Sequence, residues 1–213
     1  MRLFKGYIRL AWKGFTIDET NLKAIEFLIN IVCGKTDRKG LILRGECGVG
    51  KTILILVWLK FRETILAPPN LKKPIQRDDF NERLIKCSFF EPTSLFSGFE
   101  NSKFEFFAQQ FGDILVIDDL GLNTAINYFG TPTNIIENII LSRYVDFKAN
   151  SNLEFYGSTN VTTATLSDLI GKRAASRLSE MAAWEEGLIT GDDRRKDPSR
   201  LKVWPVLSTK NKS

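Results

Sequence analysis

Gly45-Glu46-Cys47-Gly48-Val49-Gly50-Lys51-Thr52 follows the apolar run Leu41-Ile42-Leu43 and opens a second apolar segment, Ile53–Phe61. This order describes a strand, a glycine-rich loop and a helix. A GxxxxGKT loop suits polyphosphate. Small residues at Gly45, Gly48 and Gly50 let the main chain wrap an anion closely with its N–H donors. The N-terminus of the following helix adds unpaired N–H groups and the positive end of its dipole. The cradle then runs from Gly45 through Glu46, Cys47, Gly48, Val49 and Gly50 to Lys51, Thr52 and Ile53. Lys51 is expected to reach β- and γ-phosphates, and the Thr52 hydroxyl to ligate Mg²⁺. A glycine turn that binds nothing is the alternative, and four fixed residue types in the right context argue against it.

Ile114-Leu115-Val116-Ile117-Asp118-Asp119-Leu120-Gly121 is the second signal. Four β-prone apolar residues describe a strand buried on both faces, with two carboxylates at its C-terminal end, where ligands sit in open α/β sheets. Asp118 is expected to hold Mg²⁺ opposite Thr52, and Asp119 to orient or activate an attacking water. Asn160, in Gly157-Ser158-Thr159-Asn160, ends the next expected strand. Its amide can touch both a γ-phosphate and a water, or it can simply cap the following turn. Arg173 and Arg177 stand four apart on one expected helix face. Either could reach a neighbouring subunit's phosphate; a salt-bridging surface helix is the alternative.

Strands are expected at 40–44, 86–90, 113–117 and 153–157. Helices are expected over 1–13, with Leu3, Phe4, Tyr7, Ile8 and Ala11 towards one side and an end at Gly14, and over 21–32, 53–61, 103–111, 133–148, 165–170 and 172–182. Pro68, Pro69, Asn70, Lys72, Lys73 and Pro74 mark an exposed connection, and Pro92 ends the second strand. Residues 121–132, rich in Gly, Asn, Thr and Pro, read as a loop. Strands alternating with helices predict an α/β fold, a mostly parallel sheet flanked by helices on both faces. The chain divides into a basic N-terminal segment, 1–20, a core, 21–190, and a basic tail, 191–213.

With 213 residues, 43% of them apolar and 26% charged, the chain can bury a substantial core. No apolar stretch approaches a membrane span, and the start lacks the pattern of a secretory signal. Cys33, Cys47 and Cys87 are too scattered for a disulfide framework or a zinc site, so a cytoplasmic setting is expected. The absence of histidine excludes Ser-His-Asp and Cys-His catalysis within the chain. The net charge of +5 collects at the ends. Residues 1–15 carry Arg2, Lys5, Arg9 and Lys13 and no acid, and residues 191–213 carry seven bases and three acids. Such ends suit a polyanion such as nucleic acid; solvated termini are the alternative. In the tail, Arg194, Arg195 and Lys196 stand among Asp192, Asp193 and Asp197.

Taken in order, GECGVGKT, ILVIDDLG, STN and GKRAASRL resemble the AAA+ ATPases of the DnaC/IstB type, bacterial and phage helicase loaders and transposition helpers. The stretch Asn127–Lys148 also looks like the corresponding segment of DnaC-like proteins of Bacteroidetes and their phages. The resemblance covers residues 15–196. It implies an AAA+ P-loop NTPase core with ATP and Mg²⁺. It assigns Lys51 and Thr52 to phosphate and metal, Asp118 to metal, Asp119 as catalytic carboxylate, Asn160 as sensor 1 and Arg177 as a trans-acting finger, with Arg173 as its alternative. Arg143 is similar to a family arginine at the subunit interface. Two features depart from the pattern. Asp119 replaces a longer Glu, from which slow turnover is expected, and the length on either side of the motifs leads us to expect no full C-terminal lid and almost no room for the usual N-terminal helicase-binding domain. Phe4, Tyr7 and Trp12 could form a minimal docking face, or pack back on the sheet. GTP is disfavoured, because the only Asn-Lys pair is Asn211-Lys212. The implied function is an ATP-hydrolysing helicase loader in DNA replication that acts as a ring or spiral on single-stranded DNA with a replicative helicase. An IstB-like helper acting with a transposase on duplex DNA is the alternative, and a P-loop small-molecule kinase is a third.

Overall fold

The computed structural model describes residues 1–11, 15–66, 87–90, 112–122, 125–128 and 131–194. The expectations for Trp12 and Gly14, the proline-marked connection, Pro92, the helix at 103–111 and the tail beyond Arg194 lie outside them. In chain order the elements are α1 (Arg2–Ala11), α2 (Glu19–Val32), β1 (Gly40–Arg44), α3 (Lys51–Leu66), β2 (Cys87–Phe90), β3 (Ile114–Ile117), β4 (Ala125–Tyr128), β5 (Thr131–Asn134), α4 (Ile135–Ala149), β6 (Glu154–Thr159), α5 (Thr163–Ile170) and α6 (Lys172–Met181), with a 3₁₀ turn at Glu185–Gly187.

Four strands form one parallel sheet in the order β1-β6-β3-β2. β1 and β3 are nearly continuous apolar runs because each face is covered. Leu41, Leu43, Ile114, Val116 and Tyr156 point to the layer of α1, α2 and α3. Their neighbours Ile42, Leu115, Ile117 and Phe155 point to α4, α5 and α6. That alternation is the two-residue period of a strand feeding two cores. Gly157 sits in the middle strand because a Cβ there would come within 2.6 Å of Leu120 Cδ1.

Local chemistry sets the helix starts. Asp18 caps α2: it accepts from the Thr20 amide at 3.1 Å, while Asn21 Oδ1 accepts from the Asp18 amide at 3.2 Å. This capping box starts α2 two residues before the expected position. Asn134 caps α4 by accepting from the Glu137 amide at 3.2 Å, and Thr162 caps α5 through the Thr165 amide at 3.2 Å.

Three features differ from the sequence reading. Residues 121–132 are not all loop, since β4 and β5 pair antiparallel from Ala125↔Asn134 to Tyr128↔Thr131. β5 includes Thr133, so α4 begins at Ile135. The segment after α6 lies along the outer edge of β1, with parallel bridges Leu41↔Ala183 and Arg44↔Leu188. Gly187 permits this, because a Cβ there would lie 1.9 Å from the Ile42 carbonyl oxygen. Lastly, the apolar face of α1 is narrower than expected. Phe4 and Ile8 are buried, and Phe4 meets Phe61 and Trp58 edge-on at 4.8 and 6.1 Å, but Leu3 is 78% exposed. Phe4 and Tyr7 therefore pack on α3, and Arg2, Leu3, Lys5, Gly6 and Arg9 are exposed. Among the described residues no helix is long and apolar enough to cross a membrane.

Candidate functional site

The loop between β1 and α3 turns on glycines at φ +149 (Gly45), +86 (Gly48) and +100 (Gly50). These values are strained for any side chain. Val49 is buried and pins the loop to the core. α3 starts at Lys51, so its first turn faces the space the loop encloses. Lys51 Nζ donates to the Gly45 and Glu46 carbonyls, both at 2.8 Å, and to Asn160 Oδ1 at 2.5 Å. The ammonium thus sits inside the loop, largely buried.

Thr52 Oγ1 donates to Asp118 Oδ2 at 2.9 Å, with Oδ1 at 3.2 Å. Asp118 directly follows β3, and its amide donates to the Phe90 carbonyl at 2.9 Å. Asp119 follows with φ +48. Asp tolerates this left-handed conformation better than most residues because its short polar side chain bonds locally. Its carboxylate accepts from Asn160 Nδ2 at 3.3 Å. Lys51, Thr52, Asp118, Asp119 and Asn160 therefore meet at the C-terminal ends of β1, β3 and β6. An oxygen pair such as Thr52 and Asp118 suits a hard cation, so these residues fit Mg²⁺.

Ser158 and Thr159 carry the positioning, which the sequence reading did not assign to them. Ser158 Oγ accepts from the Asp119 amide at 3.0 Å and donates to Asp118 Oδ1. Thr159 Oγ1 donates to the Leu120 carbonyl at 2.6 Å, and the Leu120 amide to the Ser158 carbonyl at 2.7 Å. Both hydroxyls are fully buried. A run of small hydroxyl residues directly before Asn160, at the end of the strand Glu154–Thr159, was the available signal.

The arginines separate. Arg177, on α6, has a 41% exposed side chain and donates to Glu180 Oε1 at 2.8 Å and to the Tyr144 hydroxyl at 3.3 Å, with its guanidinium 4.7 Å from the Tyr144 ring centroid. The Tyr144 hydroxyl donates to Glu180 Oε2 at 2.6 Å, and Lys148 stands 3.5 Å from the same oxygen. Hydrogen bonds from Tyr144 and Arg177 hold the Glu180 carboxyl below its ordinary value. Arg173, one turn earlier, is exposed. Arg143 is corrected outright: it is 1% exposed and donates to the Asp113 and Glu154 carbonyls at 2.6 and 3.0 Å, so it cannot lie at a subunit interface. Burial lowers its pKa, and the carboxylates of Asp146, Asp113 and Glu154 oppose that.

A last group comes from the chain's far end. Arg194 donates its amide to the Gly48 carbonyl at 3.0 Å. Its guanidinium donates to both Asp18 oxygens, at 3.1 and 2.9 Å, and to Thr20 Oγ1 at 2.7 Å. Burial pushes the Asp18 carboxyl up, but the Thr20 hydroxyl and Arg194 outweigh it and hold the group below its ordinary 3.8. Nothing in the local sequence signalled this contact.

No protein-family model and no curated relative matches the chain. Solved structures do. Domain III of the Thermotoga maritima replication initiation protein DnaA superposes with a TM-score of 0.55 at 17% identity, covering 81% of this chain and 65% of that one. The replication initiator DnaA bound to AMPPCP and single-stranded DNA gives 0.55 at 15% identity, covering 84% and 49%. DnaI gives 0.48 at 20% identity, covering 87% and 93%. The chain thus spans about two thirds of the first DnaA structure and half of the second. At these identities the likeness is one of architecture, and the fold is that of an AAA+ P-loop NTPase core.

Proposed function

We propose that this chain is a DnaC-like, ATP-dependent helicase loader of DNA replication that binds and hydrolyses ATP at subunit interfaces and acts on single-stranded DNA with a replicative helicase. The observation that carries the reading is the continuous hydrogen-bonded array in which Thr52 meets Asp118 while Asn160 touches both Lys51 and Asp119. Such an array suits phosphoryl transfer, where catalysis is mostly positioning and electrostatics. Lys51 exchanges two loop carbonyls and the Asn160 oxygen for phosphate oxygens. Thr52 and Asp118 would hold Mg²⁺, which would supply charge neutralisation at the phosphates. Asp119 takes the proton of the attacking water, and Asn160 orients that water against it. Asp119 is a methylene shorter than Glu, which favours slow turnover.

The exposed Arg2, Lys5 and Arg9 of α1 support contact with a nucleic acid backbone. The DnaA neighbour bound to AMPPCP and single-stranded DNA lends support to both ligands. Coupling between neighbours falls to α6, where Arg177 must leave Glu180 and Tyr144 to act in trans, while Arg173 needs no release.

Light scattering of the purified protein with ATP and Mg²⁺ tests the reading. Growth to a multi-subunit species on adding single-stranded DNA supports it. Growth on duplex DNA alone favours the transposition helper. A monomer that binds ATP under every condition removes the trans arrangement and points to a kinase-like enzyme.

A further inference from the structure

Between the edge of β1 and Arg194 the chain crosses the P-loop. The Ile189 amide donates to the Arg44 carbonyl at 2.7 Å, and the Ile189 carbonyl oxygen lies 2.1 Å from where a Cβ on Gly45 would stand. Gly191, at φ +111, turns the strap past Thr20. Asp193 then points its carboxylate into the space left by Gly48: a Cβ there would lie 1.8 Å from Oδ1. Arg194 Cδ stands 3.6 Å from the equivalent point on Gly50. The strap is fastened at both ends of Arg194, by its amide on Gly48 and by its guanidinium on the N-cap of α2.

A carboxylate is therefore held against the middle glycine of a loop built to receive phosphates. We propose that Asp193 sets the nucleotide affinity of this site: its carboxylate competes with the phosphates of the nucleotide for the P-loop, and the Arg194–Asp18 pair holds that competitor in place. The inference rests on the P-loop reading given under Proposed function. Like charges a few ångströms apart in a partly desolvated loop repel strongly, and the repulsion grows with the number of phosphates. The strap must shift as the nucleotide enters, which breaks the Arg194 amide bond to Gly48. Occupancy is then relayed through Arg194 to Asp18 and Thr20 at the start of α2.

The test titrates a fluorescent ATP analogue with Mg²⁺ into the wild type, Asp193→Asn, Asp18→Asn and Lys51→Ala proteins at low salt. Asp193→Asn keeps the shape and removes the charge, so it should bind about tenfold tighter, with a smaller gain for the diphosphate and a gain that shrinks in high salt. Asp18→Asn keeps a good N-cap for α2 and loosens Arg194, so it should tighten binding a few-fold. In the wild type, amide hydrogen exchange at Arg194 should speed up when nucleotide binds, a readout that needs no variant. If the wild type binds, Lys51→Ala does not, and Asp193→Asn binds no tighter than wild type, the competitor role is overturned while the P-loop reading stands. If no protein binds, Asp193→Asn included, both fall together.

Discussion

At the scale of single residues, the buried Ser158 hydroxyl shows how much of the site depends on one atom. It is acceptor to the Asp119 amide and donor to Asp118. Ser158→Ala leaves both groups without that partner, at a cost of about 1–3 kcal/mol in chemical denaturation. It should also lower turnover more than ATP binding, because Asp118 and Asp119 lose their orientation. Asp119→Asn should behave differently. Asn also tolerates the left-handed backbone at φ +48, so fold and nucleotide affinity should survive while hydrolysis falls about 10²-fold or more. Comparable loss of affinity in Asp119→Asn would remove the catalytic assignment. The pH response of Asp18 belongs here as well. Its carboxyl is held below the ordinary 3.8, so its stabilising contribution is complete above that value and is lost as pH falls through the lowered one. The melting temperatures of wild type and Asp18→Asn, followed downward from pH 5, should converge in that window.

At the scale of elements, α1 is tied to α3 by aromatic edges, and Phe4 lies wholly inside that contact. Phe4→Ala should cost about 3–5 kcal/mol in denaturant unfolding, whereas Leu3→Ala, at an exposed position, should cost almost nothing. Similar small losses for both would mean that α1 does not hold its place on α3. The contrast also marks what the sequence could and could not tell. β1 and β3 were legible because runs of three and four apolar residues, next to the loop and the carboxylates respectively, leave little alternative to a buried strand. β4 and β5 were not, because Pro132 and the surrounding polar residues mimic a loop and their pairing is a backbone property. The edge segment around Ala183 and Leu188 was missed for the same reason, since main-chain hydrogen bonds and a single permissive Gly187 hold it there. Lys51, Thr52, Asp118, Asp119 and Asn160 could be read because each lies in or beside a short local pattern. Ser158 takes its meaning from residues about 40 positions away, and Arg194 from Asp18, 176 positions away. Separations of that size leave no periodicity for a sequence reading to find.

At the scale of the whole molecule, the proposed assembly turns on the arginines of α6, which would have to complete a neighbouring subunit's site. Arg177 is engaged by Glu180 and Tyr144 within its own chain, so an intersubunit role requires those bonds to open. Arg173 is exposed one turn away and can reach out without that cost. Turnover of Arg173→Ala and Arg177→Ala, measured at concentrations where the wild type is assembled, ranks the two; melting temperature separates a lost finger from a loosened contact between α4 and α6. Mixing then tests the direction of action. In an equimolar random mixture of Lys51→Ala with the finger variant, a working interface needs the intact loop of one kind beside the intact arginine of the other. Chance arranges this at about one interface in four, so turnover should recover to about a quarter of the wild-type value although each parent is inactive alone. An arginine acting within its own subunit gives no recovery at any ratio, because no single chain in the mixture carries both groups.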